Sequence, residues 1–417
     1  MNNFWFSFIP KLNNKIWLLT FGRLLSQIGS GFTLFYAPIF FVNEVGLSAT
    51  SVGIALGSGS ISGIVGRFLG GWFTDSPAWG RRKTLLLSAA ISAIADVALF
   101  FTHDLQTLIL GNLLMGLGIG LYWPATEAAV ADLSTPEQRN EAFAVTRLAD
   151  SMGLSIGVVW GGAIIASGTD FRWLFFIDGI SFVVFFGLVY VAIAETYQFK
   201  EHQNSGYRGW LIALRDRRLM VFLLVNIIIT LYIAQLQSSL PLYFSNFVPR
   251  GDSGIGFSPR IISIIFSWHI IFAAITQLPV ARYLNRFSRP RALIFSLLLW
   301  SMGFSLIWVT GKGIFNEAIA VAFVALSILA LAMVAYTPAA SALVVDLSPP
   351  ELRGVYLSLN SQCWAIGYLI GPPLGGLALD QDSLVFVHGF WLMLAVSVIV
   401  GIVILLYLES LLTSTTM

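Results

Sequence analysis

Apolar runs of membrane-spanning length alternate with short polar breaks along this chain. In the first half they cover about 16–42, 48–74, 84–102, 106–132, 141–167 and 171–195. In the second half they cover about 219–247, 258–285, 290–310, 314–346, 352–379 and 384–408. A helix needs about 20 residues to cross a bilayer, so each run predicts one crossing. The longest polar stretch, TYQFKEHQNSGYRGWLIALRDRR at 196–218, separates two sets of six. The pattern predicts an all-α membrane protein of twelve transmembrane helices. One six-helix bundle lies at 1–195, a linker at 196–218 and a second bundle at 219–417. Within the linker, Tyr207 to Arg218 reads either as a short amphipathic helix on the membrane surface or as a solvated loop. The first run is longer than a signal-peptide core and lacks a cleavage site, so it reads as a retained span.

One stretch occurs twice. Residues 122–162 read YWPATEAAVADLSTPEQRNEAFAVTRLADSMGLSIGVVWGG, and residues 336–376 read YTPAASALVVDLSPPELRGVYLSLNSQCWAIGYLIGPPLGG. The offset is 214 residues throughout: Tyr122 meets Tyr336, Pro124 meets Pro338, Asp132 meets Asp346 and Arg139 meets Arg353. Gly153, Gly157, Gly161 and Gly162 meet Gly367, Gly371, Gly375 and Gly376. A repeat of half the chain length, built from apolar runs, predicts two related halves.

Composition supports a membrane location. Charged residues make up 11% of the chain, against roughly 25% in soluble domains, and the mean hydropathy is +0.82. A formal net charge of +2 gives no reason to expect a nucleic-acid partner. The lone Cys363 excludes an intrachain disulfide. With the N-terminus inside, sixteen of the 23 Lys and Arg fall on the cytoplasmic side. Four (Arg172, Arg250, Arg260, Lys312) fall outside and three (Arg23, Arg67, Arg147) within spans. That bias predicts both termini in the cytoplasm and an even number of spans; the expected location is the plasma (inner) membrane.

The loop after the second span reads GRFLGGWFTDSPAWGRRKTLLL. Gly71, Asp75, Gly80, Arg81, Arg82 and Lys83 resemble the loop signature of the major facilitator superfamily, whose members are secondary transporters. Four residues, Ser76 to Trp79, separate Asp and Gly here where the family has two. The second-half copy, ARYLNRFSRPRAL, carries Asn285 in place of the acid. The resemblance implies two pseudo-symmetric six-helix bundles and a gating role for this loop, with Arg139 and Arg353 of the repeat beside it. It places Asp75 at the cytoplasmic mouth near the start of span eleven.

The glycine stretches carry a second resemblance. Gly153 to Gly162 follows GxxxGxxxGG, and Gly367 to Gly376 follows GxxxGPxxGG with Pro372 in place. The proline form on the fifth span resembles a signature of the family's proton-driven exporters; here Val158 stands at that position and span eleven holds the complete form. Glycines four apart flatten a helix face for close packing, so Gly153, Gly157, Gly161, Gly367, Gly371, Pro372 and Gly375 read as helix-packing positions. A third exporter feature, an Arg on span four, is replaced by Asn112.

Charges inside a membrane are costly and mark candidate sites. Arg23, Glu127, Arg147 and Asp150 lie about five to nine residues inside spans one, four and five. At ~1.5 Å per residue they share one layer. Arg147 and Asp150 are three apart and can pair on one helix face. Two readings stand for the predicted four-charge cluster: a static ion-pair network, or a switchable one that takes a proton or an anionic substrate group. His269, midway in span eight, is either a hydrogen-bonded core residue or a second proton candidate. Asp96 and Asp178 lie near the outer ends of spans three and six, where interfacial water or a hydrogen bond would account for them.

The second half has no formal charge deep in its spans, which suggests that it supplies hydrogen bonds and shape. By family resemblance the cavity is lined by spans one, four, seven and ten, which brings forward Arg23, Gln27, Tyr122, Gln235 and Tyr336 as substrate contacts. No P-loop, metal-ligand spacing or nucleophile elbow is present, so no enzyme, cofactor or metal is expected. The expected partners are a small-molecule substrate, protons and lipid, with the chain monomeric. The leading expectation is a proton-coupled exporter of amphipathic compounds. The alternatives are a symporter or uniporter for a sugar or organic anion, and a transporter-like sensor or scaffold.

Overall fold

A computed structural model describes residues 12–74, 76–135, 138–196, 207–249, 254–284, 286–313, 318–349 and 352–413. Twelve long helices carry the described chain. They are α1 (Asn14–Asn43), α2 (Ala49–Thr74), α3 (Gly80–Phe100), α4 (Leu105–Leu133), α5 (Arg139–Ala166), α6 (Arg172–Ala192), α8 (Arg217–Gln237), α10 (Pro259–Leu284), α11 (Arg289–Thr310), α12 (Ala318–Leu347), α13 (Arg353–Leu379) and α14 (Leu384–Thr413). Two short helices, α7 (Tyr207–Arg215) and α9 (Ser239–Asn246), complete the set. Eleven spans are apolar over a membrane-length window, α8 and α9 counting as one. The twelfth, α13, carries Pro372 and Pro373 among its polar residues.

Local chemistry sets several helix ends. Asp104 caps α4, its carboxylate accepting from the Thr107 amide at 2.8 Å. That amide, with the Thr107 hydroxyl, holds Asp104 below the usual carboxylate range. The linker expectation resolves to a helix that stops at Arg215, because Asp216 turns the chain and caps α8 by accepting from the Arg218 amide at 2.9 Å. The predicted span 219–247 is broken at Ser238, so α8 and α9 share it.

The chain divides into two compact units. The first comprises Met1–Leu34, Ser58–Ile164 and Gly168–Glu201, and the second Phe35–Gly57, Ile165–Ser167 and His202–Met417. The second therefore takes the end of α1 and the start of α2, which the sequence-based division had left with the first bundle.

Packing inside each unit repeats. In the first, α3 lies against α4 and α6; in the second, α11 lies against α12 and α14. Gly153 and Gly157 of α5 face the Leu24 and Ile28 carbonyls of α1. Gly367 and Gly371 of α13 face Thr230 and Ala234 of α8. Gly375 meets Ser239 and Gln235, and the Pro372 carbonyl lies beside Gly53. Gly161 is buried in α5. Gly153, Gly157, Gly367, Gly371 and Gly375 therefore lie in helix seams, where small residues let backbones approach closely.

Candidate functional site

The α1–α5 seam brings Arg23 to Asp150. The Arg23 Nε donates to Asp150 Oδ1 at 3.0 Å and Nη2 donates to Oδ2, a two-bond fork. Nη1 reaches Thr126 Oγ1 at 3.5 Å. The guanidinium lies 6.0 Å from the Tyr122 ring centroid and 5.4 Å from that of Trp123. Arg23 is 1% exposed. A buried guanidinium is tolerable here because its planar fork is matched by a carboxylate and flanked by aromatic faces. Gln27, one turn along α1, packs beside Gly153.

Arg147 and Glu127 form the second pair, at 3.2 Å and with both side chains largely open. Glu127 also attracts Arg23 and Arg67. The expected pairing of Arg147 with Asp150 on one face of α5 is not found. The glycine seam turns Asp150 toward α1, and Arg147 is left to meet α4. The single four-charge cluster is thus two ion pairs with different surroundings, and Arg67 of α2 joins the layer.

The second unit carries a neutral counterpart. The matching glycine seams align Gln27 with Thr230 and Gly31 with Ala234, and so Arg23 with Asn226. Asn226 accepts from the Tyr336 hydroxyl at 2.5 Å and donates to Asn360 Oδ1 at 2.8 Å. Tyr336, like its counterpart Tyr122, is buried. Gln235 is fully buried and donates to the Gly371 carbonyl at 2.6 Å, bracing α13 just ahead of its two prolines. Three of the five expected substrate contacts, Arg23, Gln235 and Tyr336, are packed inside their units and already hydrogen-bonded. His269 Nδ1 lies 2.8 Å from the Leu326 carbonyl. A carbonyl only accepts, so Nδ1 carries the proton.

At the loop before α3, Gly80 has φ +75°, a left-handed turn suited to glycine. The Glu195 carboxylate accepts from the amides of Arg81 at 2.9 Å and Arg82 at 3.1 Å, capping α3. Arg81 Nε pairs with Asp132 at 2.9 Å, and Arg82 donates to the Tyr190 carbonyl. Gly71 has open space where a side chain would stand. Asp75 lies outside the described residues, as do the side chains of Arg139 and Arg353. In the second unit Arg289 pairs with Asp346 at 3.6 Å and Arg291 with Glu409 at 2.7 Å. Asp132 and Asp346 stand 214 residues apart, and so do Glu195 and Glu409. The repeat in the sequence already matches Asp132 with Asp346; it passed over Glu195 and Glu409, whose equal spacing was a signal that could have found them.

A family model described as Major Facilitator Superfamily matches residues 19–248 and 252–414, and the chain belongs to that family. It is 24% identical to a Na(+), Li(+), K(+)/H(+) antiporter of Planococcus maritimus over 365 residues, covering 81% of this chain and 83% of the relative. It is 24% identical to Multidrug resistance protein 2 of Bacillus subtilis (strain 168) over 359 residues, covering 85% and 86%. Its fold is similar to that of the nucleoside transporter NupG, with a TM-score of 0.78 at 14% identity, covering 94% of this chain and 99% of that one. The protein is an integral membrane transporter of a small molecule, built as twelve helices in two pseudo-symmetric six-helix halves.

Proposed function

We propose that the protein is a proton-coupled exporter of small amphipathic compounds that works by alternating access in the plasma membrane, as a monomer with both termini in the cytoplasm. The observation that carries this reading is the pairing of carboxylates with arginines inside the first unit. Separating Arg23 from Asp150 in the interior would leave two uncompensated charges, which costs several kcal/mol. A proton on the acid, or a substrate group against either partner, removes that cost. Pair opening, proton uptake and substrate exchange are then linked. Glu127 is the open acid through which protons arrive, and Asp150 the buried one whose pairing changes. The antiporter and multidrug-resistance relatives support both the coupling and the substrate class. In this reading the loop residues Gly71, Asp75, Gly80, Arg81, Arg82, Arg139 and Arg353 gate the cytoplasmic mouth.

A second reading rests on one observation. Three arginines, Arg23, Arg67 and Arg147, face two carboxylates, Glu127 and Asp150, in this layer. An organic anion that meets Arg23 or Arg147 in place of its carboxylate would then be the substrate. Reconstituted protein distinguishes the two. Export predicts that an amphipathic cation moved one way drives protons the other, and that Glu127→Gln still binds the compound but uncouples the proton. Wild-type coupling in Glu127→Gln and in the Arg23→Gln/Asp150→Asn double variant would sink the proton site. Anion uptake with no response to cations would favour the second reading.

A further inference from the structure

Asp96 of α3 and Asp178 of α6 are each 1% exposed inside the first unit. Of the two expected explanations, interfacial water or a hydrogen bond, burial leaves the second, and it holds for Asp178 alone. Neither oxygen of Asp96 has a hydrogen-bond partner. Asp178 accepts from Thr33 Oγ1 of α1 at 3.3 Å and Ser181 Oγ at 3.4 Å. Asp96 packs against α6 at Gly179, the residue that follows Asp178. Among the described residues no Lys, Arg or His forms an ion pair with either. Arg172, six residues earlier on α6, spends its guanidinium on the Phe100 and Thr102 carbonyls and on His103. On α1, Lys15 lies in the first turn, eighteen residues before Thr33, and Arg23 is engaged by Asp150.

The neighbouring helices leave room for the acids. A side chain at Gly29 would stand 1.9 Å from Asp178 Oδ1, and one at Gly179 would stand 3.3 Å from Asp96 Cβ. Two carboxylates that share a dry site cannot both stay ionised without a cation. An unpartnered acid lies beside Gly179, next in the chain to a second acid that meets two hydroxyls, and together they offer an all-oxygen set that suits a small hard cation.

We propose that Asp96 and Asp178, with the hydroxyls of Thr33 and Ser181, form an intramembrane binding site for one small alkali cation, Na⁺ or Li⁺, which enters in exchange for one proton. Empty, the site holds both acids protonated and is neutral. Binding deprotonates one carboxyl, the cation takes its place, and the proton leaves to water. The site is neutral in both states, so no charge is stranded in the membrane. This site is separate from the arginine layer and stands whether or not that layer carries protons.

The test uses the full-length protein in detergent in weak buffer. NaCl or LiCl, against choline chloride at equal ionic strength, should raise the melting temperature and release about one proton per protein. The apparent cation affinity should rise about tenfold per pH unit while the exchanged proton is bound. Both responses should be lost in Asp96→Asn and in Asp178→Asn. Equal responses to choline and Na⁺ would overturn the proposal, and so would proton release that persists in both variants. If the variants do not fold, infrared difference spectra of the wild type decide. The carbonyl stretch of protonated carboxyls must fall when Na⁺ is added, and an unchanged band rejects the site.

Discussion

At the scale of single residues, the two ion pairs of the first unit should behave differently. Arg23 is buried, and Asp150 takes two of its hydrogen bonds. Asp150→Asn therefore leaves a buried cation against a neutral amide and should cost about 3–5 kcal/mol. Arg23→Gln/Asp150→Asn removes both charges and should recover most of that loss. Glu127→Gln disturbs an open pair and should stay within about 1 kcal/mol. Reversible unfolding in mixed micelles measures all three, and equal losses for Asp150→Asn and Glu127→Gln would contradict the assignment. The depth of these charges was legible in the sequence, because depth follows from span boundaries. Their partners were not, because partner choice depends on how α5 is turned against α1. The burial of Asp96 and Asp178 was hidden for a related reason: position along a span does not reveal which face meets protein.

At the scale of elements, the glycine seams were legible and the long-range helix caps were not. Spacing of four along one helix is a local pattern, and it marked Gly153 and Gly157 as a close-packed face. Asp104 and Asp216 cap the helices they precede, but two other capping acids act across long stretches of chain. Asp380 accepts from the Ala49 and Thr50 amides at 2.8 and 2.7 Å, 331 and 330 residues away. Glu195 reaches α3 across 114 residues. Nothing local in the sequence announces either contact. The seam also yields a contrast. A Cβ at Gly157 would lie 2.1 Å from the Ile28 carbonyl oxygen and 2.9 Å from Gly31 Cα, both backbone atoms that cannot rotate aside. At Gly71 it would meet nothing within 4 Å. Gly157→Val should therefore cost about 1–3 kcal/mol or more, while Gly71→Val should stay within about 0.5 kcal/mol. Thermal melting of the two purified variants checks this, and comparable losses would mean that α5 does not pack as described.

At the scale of the whole molecule, one architecture appears twice with different chemistry at corresponding places. Tyr122 and Tyr336 match, yet the first stands by an Arg–Asp pair and the second by an Asn–Asn pair. Duplication preserved the helix seams and the basic-acidic contacts of the loops, while formal charge in the interior stayed in one half. The twelve runs and the 214-residue repeat made this plan readable before any coordinates, since bilayer thickness sets span length and close packing sets glycine spacing. Sidedness can be tested directly, because the only native cysteine, Cys363, is buried and gives little background. Ala78 precedes α3 and Ser383 precedes α14, and both are exposed. The excess of Lys and Arg puts Ala78 inside and, after an odd number of crossings, Ser383 outside. In intact cells a membrane-impermeant maleimide should label Ser383→Cys, and it should label Ala78→Cys only after the membrane is broken. The opposite pattern would reverse the orientation. Labelling of both sites in intact cells would mean that the span count between them is even, and the twelve-helix plan would fail with it.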